Sequence, residues 1–210
     1  MAGAARLTAR GAKTRSRIVA TAADLMRVRG VGGTTLDDVV SASKVSKSQL
    51  YRHFEDKPAL VRAVIELVGE RKIAGERERL SNVKTFAGLR RWRDAIVETN
   101  ALQQGRYGCS LGSLANEVSD HDSVARKELH NLFMVWQELF EDLLHRFQRD
   151  GVIPQDADVA QLATGFMAAI QGGYLLAQTS RDVTPMATAI DMSIAHLHLL
   201  AREQGEALSV

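Results

Sequence analysis

Residues 34–57, TTLDDVVSASKVSKSQLYRHFEDK, decide the fold of this chain because they hold two short helical patterns with almost no spacer between them. Thr35 is placed to cap a first helix that carries two aspartates in its first turn, where negative charge suits the helix dipole. After a turn that Val45 plugs with an apolar side chain, Ser46 is placed to cap a second helix. The stretch therefore predicts a helix-turn-helix unit.

The leading end of the second helix is polar, as reading of a DNA major groove requires. In helix-turn-helix proteins this end points at base edges while the first helix lies across the backbone. Lys47 is suited to guanine, Gln49 to a bidentate pair with adenine, and Ser48 to several bases. The remaining predicted DNA-binding residues are Thr35, Ser46, Tyr51, Arg52, His53 and Lys57, of which Tyr51, His53 and Lys57 are phosphate candidates. A small helical hairpin with a solvated polar face is the alternative.

The residue types at particular positions of this stretch resemble those of the TetR family of transcription regulators. The matching residues of the helix-turn-helix are Thr35, Val45, Ser46, Leu50, Tyr51, His53, Phe54, Lys57 and Leu60. Upstream, Thr14, Arg15, Ile18, Ala22, Leu25 and Gly30 look like the first helix of the same domain. The match covers roughly residues 12–62 and is too extended to be a lone short motif.

Two departures from the family pattern fall in this stretch. Lys44 stands where the family usually has glycine, so the turn must either hold a lysine at positive φ or adopt another geometry. Ser48 replaces a common glycine or proline and places a hydroxyl in the groove.

Composition and charge are consistent with a helical DNA-binding protein. The chain has 210 residues, 45% of them hydrophobic, and only three prolines, which favours helices around a sizeable core. Residues 1–60 carry 11 basic against 5 acidic residues, whereas the rest carries 16 against 20. The basic part is the one with the helix-turn-helix. The single cysteine, Cys109, excludes an intrachain disulfide.

We predict an all-α protein with an N-terminal three-helix head and a C-terminal helical bundle for ligand binding and dimerisation. The predicted segments are a flexible basic arm at 1–11, a DNA-binding domain at 12–57 and the bundle at 58–205. Within the bundle, helices are expected near 57–80, 84–102, 120–150, 156–178 and 184–203. The charges at 70–72 and 76–79 are expected to be largely solvated.

Two apparent chemical sites have simpler interpretations. Residues 108–112, GCSLG, match the serine-hydrolase elbow, but that motif needs a preceding strand, and none is predicted here. Asp120, His121 and Asp122 lack further ligands at suitable spacing, so capping of the next helix explains them better than a metal. We therefore predict no catalytic residues, no metal and no cofactor.

The two C-terminal helices are apolar on more than one side, so each must cover more than one surface. In the TetR resemblance, such helices from two subunits form a four-helix dimer interface; the alternative is that they only complete the monomer core. The segment from GCSLGSLANE onward is also similar to the LmrA/YxaF-like subgroup of TetR repressors. That resemblance implies a repressor released by a small organic ligand.

The function predicted from sequence is a cytoplasmic homodimeric regulator, most simply a repressor, that binds a pseudo-palindromic operator and leaves it when a small hydrophobic or aromatic ligand binds. No apolar run is expected to reach the roughly 20 residues that cross a bilayer. A helical protein-interaction adaptor without sequence-specific DNA binding is the alternative. The residues predicted to line the ligand pocket are Trp92, Tyr107, Cys109, Phe133, Trp136, Phe140, Phe166, Gln171 and Tyr174.

Overall fold

The computed structural model describes residues 8–207, which form nine α-helices and no strand. The all-α prediction is confirmed. The helices are α1 (Ala9–Arg29), α2 (Leu36–Ser43), α3 (Lys47–His53), α4 (Lys57–Ser81), α5 (Phe86–Leu102), α6 (Ser110–Val118), α7 (Ser123–Arg149), α8 (Val159–Ser180) and α9 (Thr184–Ala207).

The chain divides into two compact units. The first contains the residues up to Glu70 together with Ser113–Leu129, and the second contains Arg71–Gly112 and the residues from His130 onward. Helices α4, α6 and α7 therefore contribute residues to both units. The predicted domain boundary after residue 57 coincides with the start of α4 and stays a prediction.

Helix α1 begins earlier than the sequence indicated. Thr8 is its N-cap, and the Thr8 hydroxyl accepts a hydrogen bond from the amide of Gly11 at 3.2 Å. Ala9 to Gly11, which belong to the predicted flexible arm, are helical because this cap stabilises the first turn. Residues 1–7 of the predicted arm lie outside the described part. The helix ends at Gly30, which has a φ of 76°.

The core of the first unit includes a fully buried side chain from each of the first four helices. Ile18, Val39, Leu50 and Leu60 are all fully buried. Burying such a side chain stabilises the fold by about 1.5–3 kcal/mol relative to leaving it exposed. This core fixes α3 against α1 and α2, which leaves the opposite face of α3 in solvent.

In the second unit, α8 and α9 pack closely along their length. A β-carbon on Gly173 would lie 2.8 Å from the Cα of Met186, so only glycine allows this approach. Helix α5 packs on α9, where Phe86 and His198 stack with ring centroids 3.7 Å apart.

Helix α8 corrects the expectation that no segment is long and apolar enough to cross a membrane. Its 22 residues meet that criterion by length and composition, the one such helix among the described residues. Helices that pack in a protein core meet the same criterion, so this is weak evidence for a membrane span. Seven of its residues are buried, including Phe166 and Ile170.

Candidate DNA-contacting surface and buried polar cluster

The turn between α2 and α3 adopts the left-handed geometry at Lys44, which settles the question raised by its sequence. Lys44 has φ 54° and ψ 45°, and its amide donates to the carbonyls of Ser41 and Val40 at the end of α2. Val45 donates to the Val40 carbonyl and is itself buried. The turn is a glycine-type helix end made with a lysine.

Both helices of the pair begin with a capping box. In α2, the Thr35 hydroxyl accepts from the Asp38 amide at 3.1 Å, and the Asp38 carboxylate accepts from the Thr35 amide at 2.9 Å. The hydrogen bonds from the Thr35 side chain and backbone lower the pKa of Asp38. In α3, Ser46 and Gln49 exchange the same two bonds at 3.1 and 2.8 Å. The short helix α3 is thus held at its leading end.

Two of the predicted base-reading side chains are engaged within the protein. The Lys47 ammonium pairs with the Asp37 carboxylate at 2.8 Å, and this hydrogen bond raises the pKa of Lys47. The pair is exposed, so a DNA phosphate or base can replace it. The Gln49 oxygen accepts from the Ser46 amide, so the cap uses one of its two lone pairs and restricts where this side chain can point unless the cap opens.

Three other predicted residues of α3 are exposed and unoccupied. Ser48, Tyr51 and Arg52 have no hydrogen-bond or ion-pair partner among residues 8–207, and Tyr51 is 54% exposed despite its large ring. Thr35 and Ser46 are exposed caps, whereas His53 and Lys57 are half-buried. The structure thus brings the nine predicted DNA-binding residues together on α2, α3 and the start of α4; their contact with DNA stays a prediction.

Two contacts that the sequence did not indicate join other residues of the first unit. The Glu117 carboxylate at the end of α6 accepts from the Gly32 amide at 3.0 Å. Arg62 of α4 pairs with Asp122 at 2.7 Å. Both contacts lie within the first unit and join the loop after α1 and the body of α4 to the residues around 113–129.

The second half of α4 is largely solvated, as predicted, since Glu70, Arg71, Arg77, Glu78 and Arg79 are exposed. Lys72 and Glu76 are the exceptions, and with their neighbours they form a buried polar cluster in the second unit. Glu76 is fully buried, and three donors surround it. One Glu76 oxygen accepts from Lys72 at 3.0 Å and from Arg79 at 3.2 Å, and the other accepts from the indole of Trp92 at 3.2 Å. Because Glu76 continues the apolar stripe of Ile73 and Leu80, it faces the core rather than solvent.

The Lys72 ammonium lies between aromatic rings. It is 4.2 Å from the ring centroid of Trp136 and 5.6 Å from that of Tyr174, and its side chain is 17% exposed. Burial favours the neutral amine, but the acidic groups of Tyr174, Glu76 and Cys109 outweigh it and raise the pKa of Lys72. Burial in turn raises the pKa of Tyr174. At neutral pH the Glu76 carboxylate, 3.0 Å away, is the group that favours the ammonium form of Lys72. We call this set the Lys72 cluster: Lys72, Glu76, Arg79, Trp92, Trp136 and Tyr174.

The predicted pocket residues mostly meet next to this cluster. Phe140 packs edge-on against Trp92 at 5.3 Å and parallel to Phe166 at 5.5 Å, and all three are buried. Phe133 stacks over Trp136 at 6.5 Å. The rest of the predicted set are buried or half-buried: Tyr107, Cys109, Gln171 and Tyr174. Whether they bind a ligand stays a prediction.

The two apparent chemical motifs have structural roles. Ser110 is the first residue of α6 and follows a turn, so the strand that a hydrolase elbow needs is missing from this part of the structure. One Asp122 oxygen accepts from the amides of Val124 and Ala125 at 3.0 and 2.9 Å, which confirms capping of α7. No group of three or more histidine, cysteine or acidic residues is arranged for a metal within residues 8–207.

Two protein-family models match the chain. Residues 18–64 match the model described as bacterial regulatory proteins, tetR family. Residues 85–192 match the model described as transcriptional regulator LmrA/YxaF-like, C-terminal domain. The first match contains the helix-turn-helix, and the second contains α5 to α8, where most of the predicted pocket residues lie.

Relatives and solved structures agree with these models. The chain is similar to the HTH-type transcriptional repressor DhaR of Mycobacterium sp. strain GP1, with 29% identity over 82% of this chain and 86% of the relative. It is also similar to the HTH-type transcriptional regulator LmrA of Bacillus subtilis, with 25% identity over 82% and 90%. A TetR transcriptional regulator from Chloroflexus aurantiacus superposes with a TM-score of 0.75 and 26% identity, covering 91% of this chain and 97% of that one.

Proposed function

Because this chain belongs to the TetR family of DNA-binding transcriptional regulators, we propose that it is a repressor whose dimer reads a pseudo-palindromic operator through α3 and leaves it when a small hydrophobic or aromatic ligand binds. Members of the family are regulators rather than enzymes, bind operator DNA and act as dimers. The operator geometry, the reading residues, the dimer surface and the ligand are the proposed parts.

The observation that supports α3 as the reading helix is its pairing of a buried anchor with an exposed polar end. Leu50 is fully buried, while Ser48, Tyr51 and Arg52 are exposed without partners in the described residues. Arg52 supplies a charge for the DNA backbone, and Ser48 supplies a hydroxyl for base edges. Lys47 can also contact DNA if a phosphate replaces Asp37 as its ion-pair partner, since a phosphate is the stronger partner for an exposed ammonium.

The promoter of the protein's own gene is the first DNA to test. Fluorescence anisotropy at two salt concentrations, with unrelated DNA as reference, should show tight binding that prefers the promoter and weakens as salt rises. Lys57→Ala should weaken binding to all sequences and flatten the salt slope, whereas Ser48→Ala should alter base preference. Lys84→Ala, an exposed lysine of the second unit, is the control. Parental binding by both head variants would contradict the assignment of reading residues.

The exposed face of α8 and α9 supports dimerisation through these helices. Leu175 and Leu176 are each 55% exposed, Met192 is 69% exposed and Leu199 is 56% exposed. An open groove of about 450 Å³ lies on this face, lined in part by Gly165 and Met192. Exposed large apolar side chains concentrated on one pair of helices are typical of a protein interface.

Sedimentation of Leu176→Glu tests this surface because a buried charge at a dimer interface is strongly unfavourable. The variant should shift from dimer to monomer at concentrations where the parent remains dimeric. Leu102→Glu is the matched control, since Leu102 is 81% exposed and lies on α5. An unchanged dimer in Leu176→Glu would place the interface elsewhere.

The family membership favours a DNA-binding regulator over the helical adaptor, and the basic head provides an experiment that separates the two. An adaptor has no need of cations on α3 and at the start of α4, so neutralising Arg52 and Lys57 together would leave its partner binding intact. A repressor would lose operator binding.

A further inference from the structure

The Lys72 cluster contains more positive charge than its one carboxylate can balance. Lys72 and Arg79 both pair with Glu76, and Glu76 also accepts from Trp92, so its two oxygens already have three donors. Arg79 is 45% exposed and keeps its hydration, whereas Lys72 is only 17% exposed. Lys72 is therefore a largely desolvated cation whose further donors face aromatic rings. An additional anion would stabilise it.

Buried hydrogen-bond donors without partners lie on the helices that hold this cluster. Trp136 is fully buried and its indole N–H has no acceptor among the described residues. The amide nitrogen of Gln171, one helical turn before Tyr174 on α8, is also buried without a partner. Buried polar groups are almost always hydrogen-bonded, so two such donors indicate a missing acceptor. A carboxylate offers only acceptors, on two oxygens.

The surroundings of these donors are aromatic and apolar. Phe133 stacks parallel to Trp136, and Phe140, which packs edge-on against Trp92 of the cluster, stacks on Phe166. A planar apolar body attached to the acid would find rings to pack against, which is the usual composition of a small-molecule site. Lys72 disfavours an organic cation because like charges repel in a poorly hydrated site.

We propose that the Lys72 cluster recognises the acidic group of a small aromatic carboxylic acid, with Lys72 as the ion-pair partner and the N–H groups of Trp136 and Gln171 as donors to the carboxylate. The inference rests on the proposed function, in which such an acid is the ligand that releases DNA. It concerns residues of the second unit alone.

The chain provides its own reporter for this site, because its only two tryptophans, Trp92 and Trp136, both belong to the cluster. Tryptophan fluorescence, excited at the red edge of its band, is followed while the protein is titrated with benzoate, phenylacetate and 3-phenylpropionate. The matched probes are the corresponding primary amides, which have the same shape without the charge. At least one acid should bind roughly ten- to a hundredfold more tightly than its amide, the range expected for a hydrogen bond to a charged group.

Variants of Lys72 assign the preference to its charge. Lys72→Met should bind an acid and its amide equally, Lys72→Arg should keep a preference for the acid, and Lys84→Met should behave as the parent. Far-ultraviolet circular dichroism checks the fold of each variant. If Lys72→Met does not fold, two comparisons still test whether the charge of Lys72 favours the acid. They are the affinities of the parent protein for each acid and its amide, and the same affinities in Lys72→Arg.

Three results would overturn the inference: binding of none of the acids, equal binding of acids and amides by the parent, or an undiminished preference in folded Lys72→Met. Calorimetric titration of the same pairs guards against a silent fluorescence response. Failure of the proposed function gives a different result. In that case the protein, titrated in the absence of any acid, binds its promoter no more tightly than unrelated DNA. A parent that binds its promoter but not the acids refutes the ligand class alone.

Discussion

Replacing Lys44 by glycine should stabilise the protein, although it removes a whole side chain. At φ 54° and ψ 45°, the lysine lies in the left-handed region, where a residue with a β-carbon costs about 1–3 kcal/mol. Glycine avoids this cost but makes the unfolded chain more flexible, which offsets about 0.5–1 kcal/mol. The Lys44 side chain is exposed and makes no hydrogen bond or ion pair within residues 8–207, so little else is lost. The net gain expected for Lys44→Gly is about 1 kcal/mol.

Urea unfolding followed by far-ultraviolet circular dichroism, at one fixed protein concentration, measures this gain. For a slope near 2 kcal/mol per molar, the midpoint should rise by about 0.5 M without a change in slope. Lys44→Ala removes the same charge but keeps the β-carbon, so its midpoint should stay close to that of the parent. Arg181→Gly is a second test, because Arg181 ends α8 with φ 58°. The reasoning is refuted if Lys44→Gly is no more stable than Lys44→Ala.

Three further predictions concern buried charge, glycine geometry and pH. Glu76→Leu should lower the free energy of unfolding by about 3–5 kcal/mol, because it leaves Lys72 as a poorly hydrated charge without its partner. Urea unfolding followed by tryptophan fluorescence measures this loss, and a value below about 1 kcal/mol would contradict the buried pairing. Gly105→Ala should cost about 2 kcal/mol or more, because φ is 66° and the added carbon would lie 2.5 Å from the carbonyl oxygen of Ala177. Gly75 lies inside α4 with space for a β-carbon, so Gly75→Ala should leave the free energy of unfolding unchanged or raise it. If Gly105→Ala and Gly75→Ala change the free energy of unfolding equally, the geometric difference between the two glycines does not matter for stability. The amide hydrogen bond from Ala125 and the Arg62 pair lower the pKa of Asp122, so its contribution to stability is present above its ordinary value of 3.8 and disappears as pH falls through the lower folded value. The difference in unfolding free energy between the parent and Asp122→Ala should therefore persist at neutral pH and vanish in strong acid, and a difference that does not depend on pH would contradict this assignment.

The head could be predicted from sequence because its determinants are local. A capping residue and its partner are three positions apart, as in Thr35 with Asp38 and Ser46 with Gln49, so both helix starts can be read directly. The sequence did not indicate which of the predicted DNA-binding side chains pair with other residues of the protein. Nothing in the spacing of Lys47 shows that Asp37, ten residues earlier, holds it in the folded state.

The buried cluster could not be predicted because its burial depends on distant helices. Lys72 and Glu76 sit in a stretch rich in charge, which usually indicates a solvated surface. Their burial comes from packing against Trp92 of α5, Trp136 of α7 and Tyr174 of α8. The one sequence signal was positional, since Glu76 falls on the helical stripe between two buried apolar residues. Aromatic spacing nevertheless identified most residues around the cluster.

Helix α6 was also missed as a separate element. Its nine residues, SLGSLANEV, are short and contain glycine and two serines, so periodicity gives little information. Its position depends on close packing that only the structure reveals. A β-carbon on Gly112 would lie 3.1 Å from the side-chain oxygen of Gln171 and 3.3 Å from the Cβ of Cys109.

Selection of bound duplexes from random DNA tests operator reading by a dimer without any knowledge of the regulated gene. If a dimer presents two copies of α3 to successive major grooves, the selected sequences should contain two inverted half-sites with centres about 10 base pairs apart or a multiple of that spacing. Ser48→Ala should then enrich a different half-site with the same spacing. Enrichment of no sequence, or of a single half-site without its inverted copy, would contradict the account.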